Sequence, residues 1–193
     1  QLRQECLTAR RGLPEADAAT KSQAIVKQLL EWGLLAHTMG TYLCPEPLRR
    51  GIATETVLSY VDSKDNEVAT RPLINQLLNA GKTVLVPVAE NEGVLSWSQL
   101  FDLDELRPAR FGIYEPAAEY QRRVVPPANA LVLAPGVGFT PRCERIGYGG
   151  GYYDRFLANH SGLVVALAFD CQIVEAFELR EHDRPVDAVI TES

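Results

Sequence analysis

Ala130-Leu131-Val132-Leu133-Ala134, followed at once by Pro135-Gly136-Val137-Gly138-Phe139, is the stretch that decides the fold. An unbroken small-and-aliphatic run without polar alternation suits a strand covered on both faces, as in a buried parallel sheet. The same signature returns at Thr56–Val61 (TVLSYV), Thr83–Val88 (TVLVPV), Leu163–Phe169 (LVVALAF) and Ala188–Thr191 (AVIT). Between these runs, Thr70–Ala80 (closed by Gly81), Gly151–Ala158 and Gln172–Phe177 read as helices. Upstream, Leu2–Arg11 reads as a short helix stopped near Gly12. A second helix opens at Pro14 and closes at Gly33, with Ala18, Ile25, Leu29 and Trp32 on one face. Strands and helices in this alternation predict an α/β protein with an open, mostly parallel sheet and helices on both faces. Val94–Pro126 is less regular, with room for antiparallel pieces. His37–Glu55, broken by Pro45, Pro47 and Gly51, reads as an irregular surface excursion.

Working outward, the 193 residues are 46% hydrophobic and 23% charged, enough for one sizeable core, so residues 1–193 are expected to form a single domain. The net charge of −6, with no basic run, argues against a nucleic-acid or anionic-membrane partner and leaves room only for a local cationic pocket. No apolar run approaches the ~18 residues of a membrane span. Cys6, Cys44, Cys143 and Cys171 are scattered without a CxxC pair, which favours reduced thiols and a cytoplasmic location over disulfides or zinc. Gln1–Arg11 is polar and basic, with no apolar signal segment. His37, His160 and His182 form no constellation.

In open α/β sheets ligands bind beyond the carboxyl ends of the strands. After ALVLA that region contains Arg145-Ile146-Gly147-Tyr148-Gly149-Gly150-Gly151-Tyr152-Tyr153-Asp154-Arg155. Four glycines in five residues leave backbone N–H groups unshielded, and such a loop running into a helix can form a nest for phosphate. Arg145 adds fixed positive charge, and Asp154 offers a carboxylate suited to magnesium. The loop is neither a Walker loop nor a dinucleotide fingerprint. Its plainer reading is a turn needing positive φ, with the tyrosines as core. Glu67, between a strand and a helix, is either a site carboxylate or a charge complementing the helix N-terminus. Arg3, Arg10 and Arg11 read mostly as a solvated helix face, and Asp187 as a turn cap or a ligand.

Pro135–Leu157, PGVGFTPRCERIGYGGGYYDRFL, resembles the signature of the 5-formyltetrahydrofolate cyclo-ligase family. Glu67-Val68-x-Thr70, Phe111–Pro116 (FGIYEP), the ending Glu181-His182-Asp183 with Val186-Asp187 and Thr191-Glu192, and Leu2-Arg3 at the start also fit. The resemblance implies a three-layer αβα sandwich like that of sugar-phosphate isomerases and CoA-transferase-like proteins. It also implies an ATP- and magnesium-dependent cyclisation of 5-formyltetrahydrofolate to 5,10-methenyltetrahydrofolate, with ADP and phosphate released by a monomer. By the same resemblance ATP is held by Arg3, Arg145, Gly147, Tyr148, Gly149, Gly150, Gly151, Tyr152 and Tyr153. Magnesium falls to Asp154 and Asp187, folate to Glu67 and Tyr152, and the catalytic roles to Arg145, Tyr152 and Glu67. Thr140 and Cys143 stand where the family usually has Asp and Gly, so the approach to the loop is expected to differ. The other reading is a non-catalytic phosphate or nucleotide sensor on the same fold. Glu67, Asp154 and Asp187 together favour the enzyme, since a mere anion binder needs no such acids.

Overall fold

The structure is a computed structural model in which residues 1–32, 41–43 and 54–193 are described. Its helices are α1 (Leu2–Arg11), α2 (Glu15–Trp32), α3 (Arg71–Asn79) and α4 (Tyr152–Leu157). Its strands are β1 (Thr41–Leu43), β2 (Thr56–Ser59), β3 (Thr83–Ala89), β4 (Leu95–Leu100), β5 (Leu106–Pro108), β6 (Tyr114–Pro116), β7 (Arg123–Val124), β8 (Leu131–Ala134), β9 (Gly138–Phe139), β10 (Arg145–Ile146), β11 (Val164–Leu167) and β12 (Ala188–Ile190). Eight of them form one sheet in the order β1-β12-β11-β8-β2-β3-β4-β7. The strands from β12 through β3 pair in parallel. Antiparallel β1, β4 and β7 complete the two edges, and β5–β6 and β9–β10 are separate hairpins.

The aliphatic runs are continuous because the sheet is buried on both sides. Val57, Leu131, Leu133, Val165, Leu167 and Ile190 face α2 and α3, where they meet Ile25, Leu29 and Leu73. Leu58, Val132, Ala134, Ala166 and Val189 face the other way, against Leu157 of α4 and Phe139 of the β9–β10 hairpin. Period-two alternation is present, but both phases are apolar. The three layers are therefore as expected, although the layer bearing α4 is built as much from hairpin and loop as from helix. Among the described residues no helix is long and apolar enough to cross a membrane.

The structure corrects two expectations. Gln172–Phe177 is not a helix; it begins with the end of a single 3-10 turn, Asp170–Gln172. Gln172 is buried and ties that turn to the strand ends: its side-chain oxygen accepts from Phe169 N, and its Nε2 donates to the carbonyls of Gly136 and Val137. Ile173 then bridges to Phe139 in extended form. The His37–Glu55 stretch is not wholly irregular, since Thr41–Leu43 adds an edge strand to β12. The rest of it up to residue 53, and Gly33, lie outside the described residues.

The Thr140/Cys143 departure preserves the turn. The Thr140 hydroxyl oxygen accepts from Arg142 N and Glu144 N, as an Asp side chain would. Cys143, fully buried, adopts φ 62°, a left-handed conformation that a glycine would take without strain.

Candidate active site

Beyond the carboxyl ends of β2, β3 and β8 lies a cleft of about 490 Å3, in the size range of small-molecule sites. Its walls include Glu67 from the loop after β2, Arg145 and the glycine loop, Tyr152 and Tyr153 from α4, and Phe111 and Tyr114 from the β5–β6 hairpin. The β2–α3 and β8–α4 connections leave the parallel core of the sheet here and so deliver their side chains to one place.

The glycine loop spans the gap between β10 and α4. Gly149 (φ 100°) and Gly151 (φ 67°) hold conformations that L side chains rarely adopt, so part of the turn reading is correct. The loop does more than turn. None of the backbone N–H groups from Gly147 to Gly151 donates to another group among the described residues. Two arginines fasten the loop by its carbonyls and leave those donors unspent. Arg3 Nε donates to Gly147 O at 2.9 Å, and Arg155 donates to Gly150 O at 2.6 Å and to Gly93 O at 2.9 Å. Arg145 lies beneath, 3% exposed, donating to Pro135 O at 3.2 Å and paired with Asp154; its Nε is buried without a partner. The helix contributes little to this cationic nest, because α4 is only six residues long.

Asp154 thus lies under the loop, one oxygen shared by Arg145 and the Arg184 N–H. Asp187 does not join it. It sits at the amino ends of the strands, where its carboxylate accepts from Val164 N at 2.7 Å and caps β11. A residue just before a parallel strand lies on the edge opposite the loops that follow the strands, so Asp187 is left out of the magnesium set. Among the described residues no group of three His, Cys, Asp or Glu side chains converges to cage a metal.

Glu67 is partly buried and firmly held: Oε2 accepts from Ser63 N at 3.1 Å and Oε1 from the Tyr148 hydroxyl at 2.7 Å. Burial pushes its carboxyl above the usual carboxylate range, while the Tyr148 hydrogen bond and the nearby Arg10 charge pull it back down. The charge-for-a-helix reading of Glu67 fails, since the side chain is turned to Tyr148 instead. Tyr148 is likewise not a plain nucleotide contact, its hydroxyl being committed to Glu67 and Arg10. Tyr152 donates to Glu90 O at 3.3 Å, and its ring meets Phe111 edge-on with centroids 6.3 Å apart. The Tyr153 hydroxyl is buried with no partner, and its ring stands edge-on to Trp97. Burial pushes the phenols of Tyr148 and Tyr153 far above the ordinary tyrosine range, so both are neutral donors.

Sequence reasoning missed three residues. Arg10 is 2% exposed rather than solvated; helical spacing from the buried Cys6 and Leu7 places it on the inward face, which was the available signal. Phe111 stands 65% exposed at the cleft mouth with φ 61°, and its place in FGIYEP was the only hint. Arg155 fastens the glycine loop through contacts no pattern announces.

Fold and cleft together define a class: an open α/β protein with a glycine nest and fixed arginines beside an aromatic pocket that holds a partly buried acid. The chain belongs to the 5-formyltetrahydrofolate cyclo-ligase family, which matches residues 1–192. It is 40% identical over 137 residues to the 5-formyltetrahydrofolate cyclo-ligase of Escherichia coli K12, covering 68% of this chain and 75% of that one. It is 28% identical over 198 residues to the Mycolicibacterium smegmatis 5-formyltetrahydrofolate cyclo-ligase, covering 99% of this chain and 92% of that one. Among solved structures, the Aquifex aeolicus 5,10-methenyltetrahydrofolate synthetase matches with a TM-score of 0.77 at 28% identity, covering 99% of this chain and 88% of that one.

Proposed function

We propose that this protein converts 5-formyltetrahydrofolate and ATP to 5,10-methenyltetrahydrofolate, ADP and phosphate. The observation that carries the reading is the unspent run of N–H donors from Gly147 to Gly151 above Arg145, which is buried with an unpartnered Nε. A formamide oxygen is a poor leaving group. It therefore attacks the γ-phosphorus of ATP, the bond to the β-phosphate oxygen breaks, and ADP departs. N10 of the folate then attacks the activated formyl carbon, loses its proton, and phosphate leaves with the former formyl oxygen. Such transfers ask a protein mainly for positioning and charge neutralisation. Arg3, Arg145 and the glycine loop hold the polyphosphate. The Glu67 carboxylate accepts from N–H donors of the pterin, and Tyr152 with Phe111 grips its flat ring. Asp154 suits magnesium, which favours one carboxylate completed by phosphate oxygens and water over an all-protein cage; when bound it neutralises phosphate charge. Cys6 and Cys171 outside disulfides support a cytoplasmic location.

ADP release is expected only when 5-formyltetrahydrofolate and magnesium are both present, followed by coupled ADP detection and methenyltetrahydrofolate absorbance. ATP hydrolysis at the same rate without folate would sink the enzyme reading. Asp154→Asn is expected to raise the magnesium concentration for half-maximal rate and to slow turnover roughly ten- to a thousandfold. An unchanged magnesium titration removes Asp154 from the metal site.

A further inference from the structure

We propose that Arg10 is a positioning residue for Glu67, acting through the hydroxyl of Tyr148. The inference rests on the substrate reading of Glu67 given above and adds to it the device that aims the carboxylate.

Arg10, on the last turn of α1, reaches three segments that are distant in sequence. Its Nε donates to Asp65 O at 2.7 Å, its Nη1 to Gly136 O at 3.1 Å, and its Nη2 to the Tyr148 hydroxyl at 2.5 Å. A rigid fork of five donors can serve three acceptors at once; a lysine cannot match that geometry. Guanidinium has no acceptor, so the Tyr148 oxygen must accept from Arg10, and the single phenolic proton is left for Glu67 Oε1. The chain of donors therefore has one direction, Arg10 to Tyr148 to Glu67. With Ser63 N on Oε2, each carboxylate oxygen has one protein donor and keeps lone pairs for a ligand.

The same helix also fixes the backbone that carries Glu67. Asp65 and Asn66 both hold left-handed φ values of 54° and 59°. Arg10 and Arg11 grip Asp65, and Asn66 Nδ2 donates back to the carbonyls of Arg10 and Leu13. Side chain and backbone of Glu67 are thus both referenced to the end of α1.

The groups facing Glu67 define the expected pH behaviour. They are Arg10 from α1, Tyr148 from the glycine loop, Ser63 and Lys64 from its own loop, Tyr60 from the end of β2, and Tyr153 from α4. Asp62 and Asp65 nearby are engaged by Thr70 and Arg71, and by Arg11. Burial raises the Glu67 carboxyl; Tyr148, Arg10, Ser63 and Lys64 lower it. Losing Tyr148 or Arg10 must raise it further, so the ionised form disappears at a higher pH on descent.

The test compares Tyr148→Phe, Arg10→Met and the double variant in the full chain. It reads KM for 5-formyltetrahydrofolate and for ATP, the acid limb of kcat/KM, melting temperature, and folate binding by calorimetry. Tyr148→Phe is expected to raise the folate KM about tenfold, the weight of one hydrogen bond to a charged group, with the ATP KM little changed. The acid limb should move to higher pH in both single variants. Because Arg10 aims the carboxylate through Tyr148, while Arg11 and Asn66 still tie the Asp65–Asn66 backbone to α1, adding Arg10→Met in the Tyr148→Phe background should add little to the folate KM, although the melting temperature falls further. Arg10→Lys replaces Arg10→Met in the cycle if the latter does not fold. Equal folate KM increments in both backgrounds, or an acid limb that stays in place in variants that still bind folate, overturns the positioning role. No folate binding by the unsubstituted protein overturns the substrate reading and this inference with it.

Discussion

Arg145→Met is expected to lower kcat/KM for ATP about a thousandfold while leaving 5-formyltetrahydrofolate binding within a few-fold of normal. Arg145 is 3% exposed beneath the glycine loop and cannot be replaced by a mobile surface cation. Fixed donors aimed at a transferring phosphoryl group commonly contribute two to five orders of magnitude in rate. Methionine keeps most of the aliphatic volume and removes the charge. It also leaves Asp154 without its ion-pair partner, so the melting temperature should fall as well. Lysine retains charge but not the two-pronged reach to Asp154 and Pro135 O, and Arg145→Lys should recover only part of the loss. Steady-state kinetics with each substrate varied, beside calorimetric folate binding, separates the two effects. A variant that keeps its ATP kinetics would place the phosphates elsewhere.

The second large effect is expected at Gly150. A Cβ there would lie 2.9 Å from the Tyr152 ring, so that ring must move, while the added methyl group stands among the unspent N–H donors. Gly150→Ala should weaken ATP at least about tenfold, which is about 1.4 kcal/mol, and Gly150→Val more, with melting shifted only a few degrees. Gly151 provides the contrast. Its φ of 67° strains any L side chain, and a Cβ would meet Arg155 at 2.9 Å. Gly151→Ala should therefore cost about 1–3 kcal/mol of stability. Melting curves and ATP calorimetry on the three variants decide between loop as ligand cradle and loop as turn. Early melting with normal ATP binding in Gly150→Ala would favour the turn.

How far the residues alone could be read depended on whether the signal was local. The aliphatic runs Ala130–Ala134 and Leu163–Phe169 announced the shorter strands Leu131–Ala134 and Val164–Leu167, because a strand buried on both faces has no polar phase to confuse it. Leu2–Arg11 was bounded correctly by Gly12, and Thr83–Val88 falls one residue short of the observed β3. The glycine loop, Arg145 and Asp154 were legible because they are adjacent in sequence, and Glu67 because it follows a strand. Gln172–Phe177 misled because Gln172 has helical propensity in isolation but spends its side chain on Gly136 and Val137, partners invisible to a local window.

Periodicity and glycine clustering act over a few residues, and they were enough to give the α/β class, the parallel aliphatic core and the loop where an anion can be held. Which acids face that loop depends on long-range packing. Asp154 lies under the loop, whereas Asp187, equally acidic on paper, caps Val164 at the other end of the sheet. Long-range packing also decided that Arg10 is buried and reaches Asp65, Gly136 and Tyr148. These contacts join residues 55, 126 and 138 positions apart. The packing of α1 on the Asp170–Gln172 turn and on β9 creates them, and no spacing within the chain can encode such a meeting.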